Sequence, residues 1–312
     1  MYGTRIALAL ATERLREHGL AERARLIPVE PRQTFELGPF RVEPVRVTHS
    51  VVDGVGYAID TPVGTFVHSG DFKFDPSPID DERSDYHRLS ELGERGVLCL
   101  MADSTNVDRP GTTPSEREVG RHLAERFRKA SGRVILATFA SHIHRIQQVL
   151  DLAAAFGRRV ALLGRSMETN VRIAAELGYL RVPEGCLASL EELAELPPYR
   201  QVILSTGSQG EPNSAMALMA SEEHKYVQVA AGDLVILSAR IIPGHERTIT
   251  RLGEVRDVDT FVIENLFASD LAFLQDLYRR INQDGHTEAD VTCPACGHGF
   301  AVDIAGDAPG ES

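Results

Sequence analysis

The chain has 312 residues, 43% of them apolar, and a formal net charge of −12. That length excludes a small stapled scaffold and suits about two domains at roughly 150 residues each; no apolar run approaches the roughly 20 residues of a membrane span, and the start lacks a basic segment leading into an apolar one. An acidic balance argues against non-specific coating of nucleic acid, which rewards clustered Lys and Arg, but leaves room for an enzyme with a local basic groove; the expected address is the cytoplasm, without a membrane partner.

Residues 5 to 18 read as an amphipathic helix, with Ile6, Leu8, Leu10 and Leu15 among Ala, Arg and Glu. From Ala24 to Gly70 the pattern changes to short β-type runs: Arg41 to Thr48 alternates, Val55 to Ile59 is apolar, and Gly64 to His68 carries Thr65, Phe66 and Val67. Gly54, Gly56, Pro62 and Gly64 punctuate them as turns.

From about residue 97 the pattern is strand, polar loop, helix, repeated. Val97 to Met101 leads to Asp103-Ser104-Thr105-Asn106, Arg133 to Phe139 to Ala140-Ser141-His142, Arg159 to Leu163 to Gly164-Arg165-Ser166, and Gln201 to Leu204 to Ser205 through Gly210. Continuous apolar strands alternating with helices predict a doubly wound, mainly parallel sheet, whose ligands bind at the carboxyl ends of the strands. Thr113-Pro114-Ser115-Glu116 predicts a capping box, with Thr113 at N-cap, for a helix through Arg128.

Leu234 to Leu237 begins one more strand, and the pattern changes near residue 246. Leu271, Leu274, Leu277, Tyr278 and Ile281 follow helical spacing, and an acidic, Gly-rich end from Gly306 to Ser312 reads as disordered. The four cysteines are too few and scattered for a disulfide framework, but Cys293, Cys296 and His298 have the spacing of a zinc knuckle, with His286 as a candidate fourth ligand. Two reduced thiols in a tail is the alternative.

His49 and Asp71 each close a β-type run, and an imidazole beside a carboxylate suits zinc, the carboxylate being able to bridge two ions. On spacing alone the pair reads equally as polar strand ends. Ser141, His144, Arg145, Arg165 and Ser166 lie at strand ends or helix starts, where backbone N–H groups favour phosphate, and Ser208 falls in a small-residue stretch able to form an anion-binding nest. Each also reads as a cap or a solvated residue. His122, His142 and His224 read as surface or structural, and His68, Asp75 and His87 equally as surface residues.

The ordered blocks Thr48-His49-Ser50, His68-Ser69-Gly70-Asp71-Phe72-Lys73-Phe74-Asp75, Ala102-Asp103-Ser104-Thr105-Asn106, Thr113-Pro114-Ser115-Glu116-Arg117-Glu118, Ile143-His144-Arg145-Ile146-Gln147-Gln148 and Thr206-Gly207-Ser208-Gln209-Gly210 resemble the ribonuclease J family over residues 2 to 246. That resemblance implies an α/β chain with part of a metallo-β-lactamase (αββα) domain at 1–112, a β-CASP domain at 113–245, and an unrelated short helical tail at 246–312. It implies zinc-dependent hydrolysis of RNA, 5′-exonucleolytic and endonucleolytic, with RNA as partner beside proteins of an RNA-degradation machinery. His49 and Asp71 match metal ligands, two zinc ions activating the attacking water; Asp103 matches a catalytic acidic residue that orients a histidine.

The resemblance further implies that the His-x-His-x-Asp-His motif lies upstream of the first helix. His142-Ile143-His144 lacks the following Asp-His and does not replace it. The expectation is therefore a truncated member with an incomplete two-zinc centre. The alternatives are a non-catalytic module that binds RNA or a protein partner, and a fusion whose tail, which is weakly similar to phage tail-assembly proteins, defines its role.

Overall fold

The computed structural model describes residues 1–104, 113–208 and 214–238 in full and the backbone of three later strands; Met1–Thr260 and Phe261–Ser312 are separate units.

In the first unit, β1 (Tyr2–Gly3) leads into α1 (Arg5–Glu17), whose Ile6 and Leu8 are buried, and pairs in parallel with β2 (Ile27–Pro28). There follow β3 (Phe35–Leu37), β4 (Phe40–Arg46), β5 (Val55–Thr61) and β6 (Gly64–His68), an antiparallel run, then α2 (Tyr86–Arg95) and β7 (Cys99–Met101), which pairs in parallel with β6. Burial alternates along β5, as expected of strands with one face on a core. Val45, Ala58 and Val67 form that core with Leu92 of α2. Arg88 of α2 grips Glu43 of β4 through two bonds of 2.7 Å, the planar bidentate geometry that only Arg supplies. Gly56 is required in β5, because a Cβ there would stand 2.7 Å from the carbonyl oxygens of His68 and Ser69.

The second sheet is parallel and takes its strands from later in the chain. After α3 (Glu116–Lys129) come β8 (Val134–Ala137), α4 (Ile143–Ala155), β9 (Arg159–Leu163), α5 (Arg165–Glu176), α6 (Leu190–Ala194), β10 (Gln201–Ser205), α7 (Ala215–Ala220), β11 (Leu234–Leu237) and β12 (Asp259–Thr260). The strand order is β12-β11-β8-β10-β9. Every residue of β8 and β11 is buried, so these strands read as unbroken apolar runs. β12 extends the sheet beyond the boundary expected near 246.

The N-cap of α3 is Ser115, whose hydroxyl accepts from Arg117 N, and not the expected Thr113. The helix therefore starts two residues later than the capping-box reading implied, and Glu116, freed from a capping role, turns inward.

The second unit has described backbone only in β13 (Glu288–Thr292) and β14 (Gly299–Asp303), an antiparallel pair. The helical stretch expected at 271–281 and the acidic end lie outside the described residues. Among the described residues no helix is long and apolar enough to cross a membrane.

Candidate active site and nucleic-acid interface

β4, β6 and β7 run in one direction, since β5 is antiparallel to both β4 and β6, and β7 is parallel to β6. Their carboxyl ends lead to His49, Asp71 and Asp103. Backbone bonds hold these ends together: Lys73 N donates to Thr48 O at 2.7 Å, Thr48 Oγ1 bonds Lys73 O, Ser69 N donates to Met101 O at 2.9 Å, and Asp103 N donates to Ser69 Oγ at 2.9 Å. His49 is half-buried, with Nε2 3.2 Å from Ser50 Oγ. Burial pushes its imidazole pKa down, against the opposing pull of the Asp71 and Asp103 charges, while Lys73 adds to the depression.

The three predicted residues thus meet on one edge. His49 and Asp71 are suitable zinc donors, yet among the described residues no three His, Cys, Asp or Glu side chains stand close enough to hold an ion. A catalytic zinc normally keeps three protein ligands, so this donor set does not by itself fit a metal centre. His68 is exposed, its Nδ1 accepting from Gly70 N at 3.0 Å, and exposed His87 pairs with Glu91 at 2.9 Å; neither joins the edge cluster.

Beside this edge lies a buried ionic cluster. Glu116 meets Lys73 Nζ at 2.9 Å and Arg145 Nη2 at 2.7 Å, with His142 Nε2 at 3.7 Å. Burial alone would raise its carboxyl pKa; hydrogen bonding to His142 and the charges of Arg145, His142 and Lys73 outweigh that and hold it far below the carboxylate range. Asp75, expected at the surface, is buried and accepts from Glu116 N at 2.9 Å. His144 and Arg145, expected to face RNA, are buried too: His144 Nε2 sits 2.9 Å from Asp80 Oδ2, and Arg145 also bonds Ser238. His142 caps α4 through Nδ1. Sequence reading missed Glu116 and Lys73, since nothing in local periodicity separates a carboxylate that turns inward from one facing water.

The remaining predicted contacts lie at the carboxyl edge of the parallel sheet. From β8 the chain crosses to β9 on one side, and from β10 to β11 on the other, so the order reverses between the adjacent strands β8 and β10. In such sheets that reversal opens the ligand crevice. Just past these strands, Thr138 Oγ1 and Ser208 Oγ are fully buried and have no hydrogen-bond partner among the described residues, which is uncommon for buried hydroxyls. Ser141 follows β8, half-buried. Gly207 turns this edge at φ +96°, and a Cβ there would collide with Ser214 Oγ. Helix α5 begins without a side-chain cap, and its first residues, Arg165 and Ser166, are exposed. Uncapped N–H groups and unspent hydroxyls favour an anion. Cys293, Cys296 and His298 lie outside the described residues.

Comparison with known proteins agrees with this geometry. The family described as "Ribonuclease J, beta-CASP domain" matches residues 131–254, which include both strands of the reversal. The chain carries the β-CASP domain of the ribonuclease J family. Ribonuclease J of Synechocystis is 45% identical over 81% of this chain and 40% of its own length. Ribonuclease J of Thermus thermophilus is 42% identical over 93% of this chain and 49% of its own, and that of Helicobacter pylori J99 42% identical over 80% and 36%. The chain thus spans less than half the length of these ribonuclease J relatives. A crystal structure of a protein of unknown function from Enterococcus faecalis V583 superposes at a TM-score of 0.56 with 12% identity, covering 83% of this chain and 62% of that one, a likeness of fold alone.

Proposed function

We propose that this chain acts on RNA as a ribonuclease J-type phosphodiester hydrolase, 5′-exonucleolytic and endonucleolytic. The observation that carries the reading is the strand-order reversal with the orphaned hydroxyls of Thr138 and Ser208, within the β-CASP match and in the same compact unit as the His49, Asp71 and Asp103 edge. In this reading Ser141, Ser208, Arg165 and Ser166 meet RNA phosphates, while His144 and Arg145 order the loop after β8 instead of touching substrate. Zinc dependence belongs to the proposal and requires donors beyond His49 and Asp71, so no step is routed through the metal. Proteins of an RNA-degradation machinery are the proposed partners.

The purified chain, incubated with 5′-monophosphorylated and 5′-hydroxyl RNA with and without chelator, tests this. Chelator-sensitive cleavage that prefers the monophosphate is expected. Binding without cleavage would support the second reading, a non-catalytic RNA-binding module, which the short donor set favours. No binding of either RNA would overturn both.

For the tail, a zinc knuckle of Cys293, Cys296 and His298 is proposed from their spacing and from their place between β13 and β14, whose ladder ends at Thr292 opposite Gly299. One zinc per chain, lost on Cys293→Ser, is the expected result.

A further inference from the structure

We propose that Tyr179 is a positioning residue that holds the His49-bearing turn against the β-CASP domain through Asp53. The turn between β4 and β5 closes on itself by a bond from Val47 N to Gly54 O of 3.0 Å. Within it Asp53 adopts φ 57°, a left-handed conformation that Asp tolerates better than most residues. Tyr179 OH donates to Asp53 Oδ2 at 2.8 Å across 126 residues of sequence, and Arg46 Nη1 stands 3.5 Å from Oδ1.

The far end of this link is stiff. Tyr179 lies three residues past the end of α5, with its N–H bonded to Ala174 O at 2.8 Å, and the next residue, Leu180, is buried. Helix α1 packs on α5 as well, with Arg172 3.7 Å from Glu13. A single phenolic hydroxyl therefore joins a loop that carries a candidate ligand, His49, to the rigid end of a helix in the other sheet's layer. Burial, with the bond to Asp53, pushes the phenol pKa up to about 12, so it stays a proton donor throughout the neutral range.

Hydrogen exchange on the full chain tests this, with RNA cleavage as a second readout that rests on the proposed function. In Tyr179→Phe the amides of residues 47–54 are expected to exchange about tenfold faster, while those of β9 and β10 keep the parent rate. Asp53→Asn, which keeps an acceptor oxygen and tolerates the left-handed conformation, is expected to stay near the parent rate, and Asp53→Ala to match Tyr179→Phe. Where the parent cleaves RNA, Tyr179→Phe lowers kcat and leaves KM unchanged. Exchange in the turn within twofold of the parent, or acceleration spread equally over β9 and β10, overturns the inference. A parent without nuclease activity defeats the hydrolase reading alone, because exchange still decides the link.

Discussion

The two five-stranded sheets of the first unit hide their apolar surface to different degrees. β8, β10 and β11 lie inside a parallel sheet, with Val134, Ile135, Leu136 and Leu204 fully buried. β7 ends the other sheet, and Leu98 just before it and Leu100 within it are 59% and 63% exposed. A cavity of about 430 Å3, lined by Val45, Val67, Phe72, Leu89, Leu92 and Leu100, lies against that sheet. The β-CASP portion thus has its strands covered on both faces, whereas the His49 portion carries an apolar edge in contact with water, the kind of edge that invites pairing with another chain. Stability and chemistry are therefore unequally divided: the better packed sheet carries the proposed anion crevice, and the looser one carries the hydrolytic candidates.

The cluster that joins the two should give the largest effect. Glu116→Ala leaves Lys73 and Arg145 without their shared carboxylate and is expected to cost about 3–5 kcal/mol in a urea titration. A carboxyl held below its unfolded value binds fewer protons when folded, so its contribution is complete above about pH 4.3 and falls away as the pH drops below that. Glu116→Gln should flatten this acid slope; an unchanged slope would mean the cluster does not join the halves as described.

Next in size is the contrast between the sheets themselves. Ile135→Ala in β8 should cost about 2–5 kcal/mol and Leu100→Ala no more than about 0.5 kcal/mol, both by chemical denaturation. Equal losses would break the comparison.

The smallest effect on stability falls in the crevice. Ser208→Ala removes a buried hydroxyl that has no partner among the described residues, so it should leave the unfolding free energy unchanged or raise it by up to about 1 kcal/mol. The same substitution should weaken binding of 5′-monophosphorylated RNA, read by fluorescence anisotropy. A stability loss without a binding loss would make Ser208 structural.

Strands in continuous apolar runs were legible at once: β9 falls on the residues the pattern assigns and β11 on the start of its run, because a strand buried on both faces needs no alternation to be recognised. The strand-end positions of His49 and Asp71 were legible from short alternating β-type runs, and that of Asp103 from the run Val97 to Met101. What was not legible depends on where side chains point after packing. His144 and Arg145 were expected at the interface; instead His144 Nε2 sits beside Asp80 and Arg145 donates to Glu116, partners 64 and 29 residues away in sequence. Thr113 was expected as N-cap, but Ser115 takes that place and also bonds Ser77 at 2.8 Å, a partner distant in sequence that local spacing cannot reveal. The β13 and β14 pair was equally hidden, in a region where the spacing of Cys293, Cys296 and His298 had drawn notice but no strand pattern had.

The order of the parallel sheet also sets a timetable for synthesis. β8 is its middle strand, yet its neighbours arrive late: Val134 pairs with Val202 on one side and with Leu234 on the other. On a ribosome adding about 5–20 residues per second, this wholly apolar strand waits for several seconds with both edges open. Chaperone demand and aggregation during expression should therefore concentrate on Val134 to Ala137, and a pause after β10 emerges would help where one before it would harm.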